Sequence, residues 1–97
     1  LPDLHSDMYS VGIILFQMLT GMLPFRAAPG QDLLSMHMHT PFPKIAERNP
    51  NITVSPETEA ILARLTAKSA NDRYSFWDEL IHDIEKVFAT MDASDRE

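Results

Sequence analysis

The amino-acid sequence predicts an all-α domain, on three observations. From Met8 to Leu19 only Ser10 and Gln17 are polar. Further along the chain, apolar residues recur at helical spacing in segments 58–65 and 77–88. No stretch shows the alternating pattern of a strand, and there is no internal repeat. Ninety-seven residues allow one domain at most, and a chain of this length buries only about 60–65% of its unfolded surface.

The first predicted helix starts at Ser6 or Asp7, either of which is a good N-cap, and ends at Gly21, a typical C-terminal stop. Because the helix is apolar on every face, we expect it to be buried in a larger body. A membrane span needs about 20 apolar residues, and this segment has far fewer. An ordinary central helix of a small bundle is the alternative.

The middle of the chain is predicted to be mostly irregular. Residues 22–30 contain two prolines and a glycine, which is typical of a loop. A short helix is expected from Gln31 to about His39. Residues 40–54 contain three prolines and are expected to be irregular.

Two more helices are predicted in the second half. Segment 55–57, Ser-Pro-Glu, combines a cap, a first-turn proline and an acid, and therefore begins a helix. Its apolar face consists of Thr58, Ile61, Leu62 and Leu65. Ser75 begins the last helix, with Asp78 as the acid of a capping-box variant. The apolar face of that helix is Trp77, Leu80, Ile81, Ile84 and Phe88. Residues 91–97 are polar and expected to fray.

The charge pattern excludes two classes of partner. The net charge is −6, and ten of the fourteen acidic residues lie in residues 51–97. Neutralising phosphates requires clustered Lys and Arg, so nucleic acid is not an expected partner. An anionic membrane surface is disfavoured for the same reason.

The composition and the first residue of the chain predict its cellular compartment and a longer parent protein. The chain has no cysteine, which suits a reducing compartment and excludes disulfides and thiolate metal sites. No signal peptide is visible, and we expect a cytoplasmic location. Since Leu1 is not Met, we expect the chain to be a fragment of a longer protein.

Two motifs carry a resemblance to a known family. The first is Ser6-Asp7-x-Tyr9-Ser10-x-Gly12, followed by Leu19-Thr20-Gly21 and Pro24-Phe25. The second is Leu65-x-Ala67-Lys68-Ser69-Ala70-Asn71-Asp72-Arg73-Tyr74. In order and separation they resemble the C-terminal lobe of protein kinases, in the style of bacterial Ser/Thr kinases. The resemblance implies that residues 1–90 are the C-terminal part of a kinase domain and that residues 91–97 form a polar tail.

The resemblance also implies structural roles around the active site. Asp7 would accept hydrogen bonds from the catalytic-loop backbone, although capping its own helix is the alternative. Gly12 completes the first motif. Ile14 and Met18 match positions that anchor the apolar columns joining the two kinase lobes, with generic core packing as the alternative. Arg73 would pair with the glutamate that holds the activation segment. The alternative is a solvated arginine bonded to nearby carbonyls or to Asp72.

Two residues depart from the family pattern. Gln17 stands where many relatives carry Glu, so a strong preference for Arg-rich substrates is not expected. Ala70 replaces a common proline, which weakens the rigidity of that loop.

Residues 31–43 are expected to offer a docking surface for a protein substrate or other partner. Its apolar, adaptable side chains are Leu33, Leu34, Met36, Met38 and Phe42. The alternative is that they pack on the neighbouring loop.

The residues that perform phosphoryl transfer are not in the chain. That chemistry needs a glycine-rich loop, a strand lysine, a catalytic Asp with its Asn, and a metal-binding Asp. In the family all of these precede the position of Asp7. ATP and Mg²⁺ are therefore expected in the parent kinase and not on this fragment, which should be inactive alone. His37 and His39 point to nearly opposite helix faces, and no metal site is predicted.

Two functions remain open at this point. The first is part of a Ser/Thr protein kinase, in which the fragment contacts the remainder of the kinase domain and supports its catalytic loop. The second is a pseudokinase or a free-standing helical interaction module without catalysis.

Overall fold

The all-α prediction is confirmed. A computed structural model describes the backbone of residues 3–95 and the side chains of residues 3–91. Within that part of the chain there are no strands, and five α-helices are joined by loops and one 3₁₀ turn, Ala70–Asp72. The helices are α1 Leu4–Thr20, α2 Leu33–His39, α3 Ile45–Arg48, α4 Pro56–Leu65 and α5 Trp77–Asp95.

Helix α1 begins earlier than predicted and ends where predicted. The Oδ1 atom of Asp3 accepts a hydrogen bond from the Ser6 backbone N–H at 2.9 Å, so Asp3 is the N-cap and the predicted start at Ser6 or Asp7 is wrong. Three candidate caps lie within five positions, and the apolar run starts several residues after the helix does. At the other end, Gly21 adopts φ 74° and donates to the Gln17 carbonyl at 2.8 Å.

The segment around α2 and α3 corrects two further expectations. Helix α2 starts at Leu33, two residues later than predicted, because the Asp32 carboxylate caps it at the Leu34 N–H. Helix α3 lies inside the segment that was expected to be irregular. It is tied to the end of α1 by Arg48 and Asn49, which donate to the carbonyls of Pro24 and Thr20 at 2.9 and 3.1 Å.

The start of α4 is confirmed and that of α5 is corrected. Ser55 Oγ accepts from the Thr58 N–H at 3.1 Å, and proline occupies the first turn of α4. In front of α5, the Glu79 Oε1 atom accepts from the N–H groups of Ser75 and Phe76 at 3.0 and 3.1 Å. The helix therefore starts at Trp77, and its capping acid is Glu79 instead of Asp78.

Helix α5 also continues further than expected. Its backbone is helical to Asp95, through most of the segment expected to fray, and residues 96–97 lie outside the described residues.

The core lies where α1, α4 and α5 meet. One buried cluster consists of Met8, Ile61, Leu65, Tyr74 and Leu80, and a second consists of Phe16, Ile45 and Leu62. The sequence predicted that α1 is buried on every face. In this chain, however, Ile14 is 56% and Met18 78% exposed. This chain covers one face of α1 and leaves the other uncovered.

Candidate functional site

Asp7 lies in the first turn of α1 with its side chain exposed. Its carboxylate makes no hydrogen bond or ion pair with any residue that the structure describes. Because Asp3 caps the helix, the alternative role of Asp7 as its own cap is wrong. Although the helix was expected to be buried, the Asp7 carboxylate at its start is exposed in this chain. It is therefore left open to donors from outside the described residues.

Arg73 connects the end of α4 to the start of α1. Its guanidinium donates to the carbonyls of Ala67 at 2.8 Å, His5 at 2.9 Å and Lys68 at 3.4 Å. Its carbon atom Cζ lies 4.9 Å from the centre of the Tyr9 ring. The carbonyl bonding named as the alternative is thus present, whereas a bond to Asp72 is not. Since a guanidinium has five N–H donors, two remain for another acceptor.

Gly12 lies at the crossing of α1 and α4. A β-carbon at this position would collide with Thr66 Cγ2 and meet Leu65 Cβ at 3.0 Å. The glycine therefore allows the two helices to approach closely. This contact fixes the position of α1 on the rest of the chain and, with it, the positions of Asp7 and Tyr9.

Five aromatic rings of α1, α2 and the intervening loops form a cluster that sequence reasoning missed. We define the aromatic cluster as Tyr9, Phe16, Phe25, His37 and Phe42. The rings meet edge to face, for example Phe25 and His37 with centres 5.0 Å apart. The Tyr9 hydroxyl lies 2.8 Å from His37 Nδ1. Isolated aromatic residues gave no periodic signal, because every pair in the cluster joins residues 12 or more positions apart in the chain.

Burial and neighbouring cations shift the pKa values of Tyr9, His37 and the adjacent Lys68. Burial raises the pKa of the Tyr9 hydroxyl, and Arg73 partly offsets the effect. Burial and the nearby Lys68 cation lower the pKa of His37. Burial, followed by repulsion from Arg73, lowers the pKa of Lys68. The Lys68 Nζ atom lies 5.0 Å from the centre of the Phe25 ring and donates to the His37 carbonyl at 2.8 Å.

The predicted docking residues divide into two groups. Leu33, Leu34 and Met38 are 43%, 66% and 57% exposed. Met36 is half-buried, and the ring of Phe42 packs on Phe16 with centres 5.3 Å apart. Phe42 therefore belongs to the core side of the segment and not to its exposed surface. We call Leu33, Leu34 and Met38 the α2 surface.

A second exposed feature is an apolar groove of about 340 Å³ between α1, α4 and α5. Ile14 and Met18 form one wall, and Ile84, Phe88 and Met91 form the other. Thr58 is the one polar residue that lines it. In the sequence, Ile14 and Met18 are spaced i, i+4, and Ile84, Phe88 and Met91 are spaced i, i+4, i+7. This helical spacing was the available signal that each set shares one helix face. We call it the α1/α5 groove.

The described residues also form a second cavity and contain no grouped metal ligands. A second cavity, of about 580 Å³ between segment 41–45 and α4, is lined mainly by proline, alanine and other apolar residues. Among residues 3–91 there is no group of three or more His, Asp or Glu side chains suited to a metal ion.

Comparison with known proteins decides the family. The sequence profile of the protein kinase domain matches residues 3–84. The chain belongs to the protein kinase domain family. Its relatives include bacterial Ser/Thr kinases, which confirms the resemblance seen in the two motifs.

Three relatives show how much of a kinase the chain represents. It is 35% identical over 71 residues to serine/threonine-protein kinase pkn3 of Myxococcus xanthus, which is 73% of this chain and 13% of that protein. It is 34% identical over 92 residues to PksC of Streptomyces coelicolor, 95% of this chain and 16% of that kinase. The probable kinase PknB of Lactococcus lactis is 35% identical over 92 residues, 95% of this chain and 14% of the relative.

The chain thus spans about one sixth or less of the length of these kinases. In the part of the chain that the structure describes, no helix combines the length and the hydropathy needed to cross a membrane.

The structure distributes the predicted site residues over separate places. Asp7 lies exposed in the first turn of α1, and Arg73 stacks on the Tyr9 ring. Gly12 faces α4, and Ile14 and Met18 face the α1/α5 groove. Apart from Ile14 and Met18, which share one wall of the groove, the predicted residues lie in separate places and form no single pocket.

Proposed function

We propose that the chain is the second half of the C-terminal lobe of an ATP-dependent Ser/Thr protein kinase, in which it supports the catalytic loop and docks protein substrates. The α1/α5 groove carries the proposal. The chain belongs to the kinase family, and its helix α1 leaves Met18 78% exposed beside other apolar side chains. This face of α1 needs a further part of the protein to cover it. The remainder of the kinase domain supplies that part.

Asp7 and Arg73 provide the contacts toward the active site. The exposed Asp7 carboxylate accepts N–H bonds from the catalytic loop, and charge-assisted bonds of this kind hold a loop strongly. The two remaining N–H donors of Arg73 bind the activation-segment glutamate. Both side chains rest on α1, because Arg73 is itself bonded to the His5 carbonyl.

The catalytic test compares two Asp→Asn variants in the complete protein. Asp7→Asn should lower kcat about tenfold or more, since a hydrogen bond to a charged group contributes about 1.5–3 kcal/mol. Asp78→Asn is the matched control, because Asp78 is also an exposed acid in the first turn of a helix. Equal phosphorylation rates for the two variants would contradict the proposed role of Asp7.

The same assay separates the enzyme from its alternative. A complete protein with no phosphoryl transfer, but with intact binding through the α2 surface, would be a pseudokinase or interaction module. The 97-residue chain alone should transfer no phosphate in either case, because the nucleotide-binding and catalytic parts are not in its sequence.

The α2 surface is the proposed docking site. Leu34→Glu and Met38→Glu place a charge on exposed apolar positions and should weaken substrate binding without changing the melting temperature. Phe76→Glu is the control, since Phe76 is 69% exposed but lies at the start of α5. Unchanged binding in both α2 variants would show that substrates dock elsewhere.

A further inference from the structure

Helix α2 is attached to the rest of the chain mainly through one residue, His37. None of the seven residues of α2 is buried. Among the described residues, the two hydrogen bonds that join α2 to other elements both involve His37: its ring with the Tyr9 hydroxyl at 2.8 Å, and its carbonyl with Lys68 at 2.8 Å. The His37 ring also meets the Phe25 ring edge to face.

The groups that face the His37 ring favour its neutral form. From α1 comes the Tyr9 hydroxyl, which stays protonated because burial raises its pKa, and which donates to Nδ1 when the imidazole proton is on Nε2. Besides burial, the Lys68 ammonium, in the loop after α4, lowers the pKa of His37 by repulsion. A second cation, Arg73, lies over the Tyr9 ring. Phe25 contributes an uncharged ring, and α2 itself carries no carboxylate. Within the described residues His37 has no ion pair with an acid.

We propose that His37 is a charge-sensitive anchor: its neutral ring holds α2 against the aromatic cluster, and its protonation releases α2 and so changes the presentation of the α2 surface. This inference rests on the docking role proposed above for that surface. It adds a pH-dependent regulation of substrate docking.

The direction of the effect follows from proton linkage. Burial and Lys68 lower the pKa of His37 below its ordinary 6.5 while α2 is docked. A released α2 returns the ring to water and to its ordinary basicity. The docked form therefore binds fewer protons, and acid favours release. The attachment of α2 to the aromatic cluster is therefore strongest above pH 6.5. It weakens as the pH falls from 6.5 toward the lower pKa that His37 has while α2 is attached.

The test is an NMR titration of the complete protein with labelled histidine and methionine. Spectra are recorded from about pH 8 to about pH 5, the range in which histidine titrates. The His37 ring should titrate with a midpoint below 6.5. The methyl group of Met38 should shift with the same midpoint, whereas that of Met8, which is completely buried in the core, should not move.

Three variants separate the anchor from unrelated titrations. His37→Asn keeps an acceptor near the Nδ1 position but cannot ionise, so the Met38 shift should disappear. His39→Asn is the matched control on the same helix and should leave the shift unchanged. Tyr9→Phe keeps the ring but removes the hydroxyl donor, so it should raise the His37 midpoint toward 6.5.

Each outcome decides the inference independently of the proposed function. A Met38 methyl that does not follow the His37 ring, a shift that persists in His37→Asn, or a His37 midpoint at or above 6.5 would overturn the anchor. None of these measurements uses phosphoryl transfer or a partner. Failure of the docking proposal is instead read from Leu34→Glu and Met38→Glu at neutral pH.

Discussion

The Cζ atom of Arg73 lies 4.9 Å from the centre of the Tyr9 ring while its Nη1 atom donates to the His5 carbonyl. One side chain thereby joins the loop after α4 to the first turns of α1. A cation over an aromatic ring contributes about 0.5–2 kcal/mol, and the planar guanidinium serves several carbonyls at once. Tyr9 of the first kinase motif and Arg73 of the second, which are 64 positions apart in the chain, meet at this contact.

Arg73→Lys should destabilise the chain although it keeps the charge. An ammonium cannot span the carbonyls of Ala67 and His5 in one plane, so at least one of these bonds is lost. We expect the free energy of unfolding to fall by about 1–3 kcal/mol, measured by urea denaturation. Arg26→Lys is the control, because Arg26 is exposed in the loop after α1. Equal losses in the two variants would argue against the contact.

Gly12→Ala should also destabilise the chain, against the usual preference for alanine in helices. The added methyl group collides with Thr66 Cγ2 and crowds Leu65, and overpacking of this kind, at about 1–3 kcal/mol, should outweigh the gain in helix propensity of roughly 1 kcal/mol. Thermal unfolding measures the effect.

The double variant Gly12→Ala, Thr66→Ser tests the cause. Serine removes the Cγ2 atom but keeps the hydroxyl, which donates to the Leu62 carbonyl at 2.8 Å. The double variant should therefore recover most of the loss. A double variant as unstable as Gly12→Ala would place the origin of the effect elsewhere.

Tyr74→Phe should lower stability at neutral pH and reduce its loss in alkali. The buried Tyr74 hydroxyl donates to Asp83 Oδ2 at 2.7 Å, and removing it costs about 0.5–1.5 kcal/mol. Burial, followed by this bond to Asp83, raises the pKa of Tyr74 above its ordinary 10.0. The folded chain therefore binds more protons than the unfolded chain above pH 10.0, and stability falls as the pH rises. Denaturation at two or more alkaline pH values measures the slope, and equal slopes for the wild-type chain and Tyr74→Phe would contradict the raised pKa of Tyr74.

The 97-residue chain should self-associate through the α1/α5 groove. Apolar surface left in water favours association by about 25 cal/mol per Å² that becomes buried. Met18→Gln should raise the monomer fraction in analytical ultracentrifugation, because Met18 forms one wall of the groove. Phe76→Gln removes a similarly exposed apolar side chain outside the groove and should have less effect. A wild-type chain that is monomeric at all concentrations would contradict this expectation.

Local signals predicted the elements whose ends depend on local bonds. Gly21 ends α1 and Ser55 begins α4 because a left-handed glycine and a serine cap satisfy helix ends with atoms close in sequence. The predicted starts of α1 and α5 were wrong. Several neighbouring residues have side chains that can cap a helix, and only the folded chain selects Asp3 and Glu79. Helix α3 was missed because the bonds of its last residues go to α1 and the following loop.

The candidate site was predicted as a set of residues and not as an arrangement. The two motifs identified Asp7 and Arg73, but the stacking of Arg73 on Tyr9 and the bond between Tyr9 and His37 join residues distant in sequence. Phe42 was assigned to the exposed surface because composition alone does not distinguish an exposed ring from one that packs on Phe16.

By itself, the sequence determined the all-α class, the approximate helices and the protein kinase family, because periodicity, caps and motifs are properties of neighbouring residues. The tertiary structure decided which apolar residues are buried. Phe16 and Met18 lie two positions apart on the same apolar helix, yet one is fully buried and the other is 78% exposed. Periodicity defines which residues share a face, but the packing of α3 and α4 on α1 determines which face is covered.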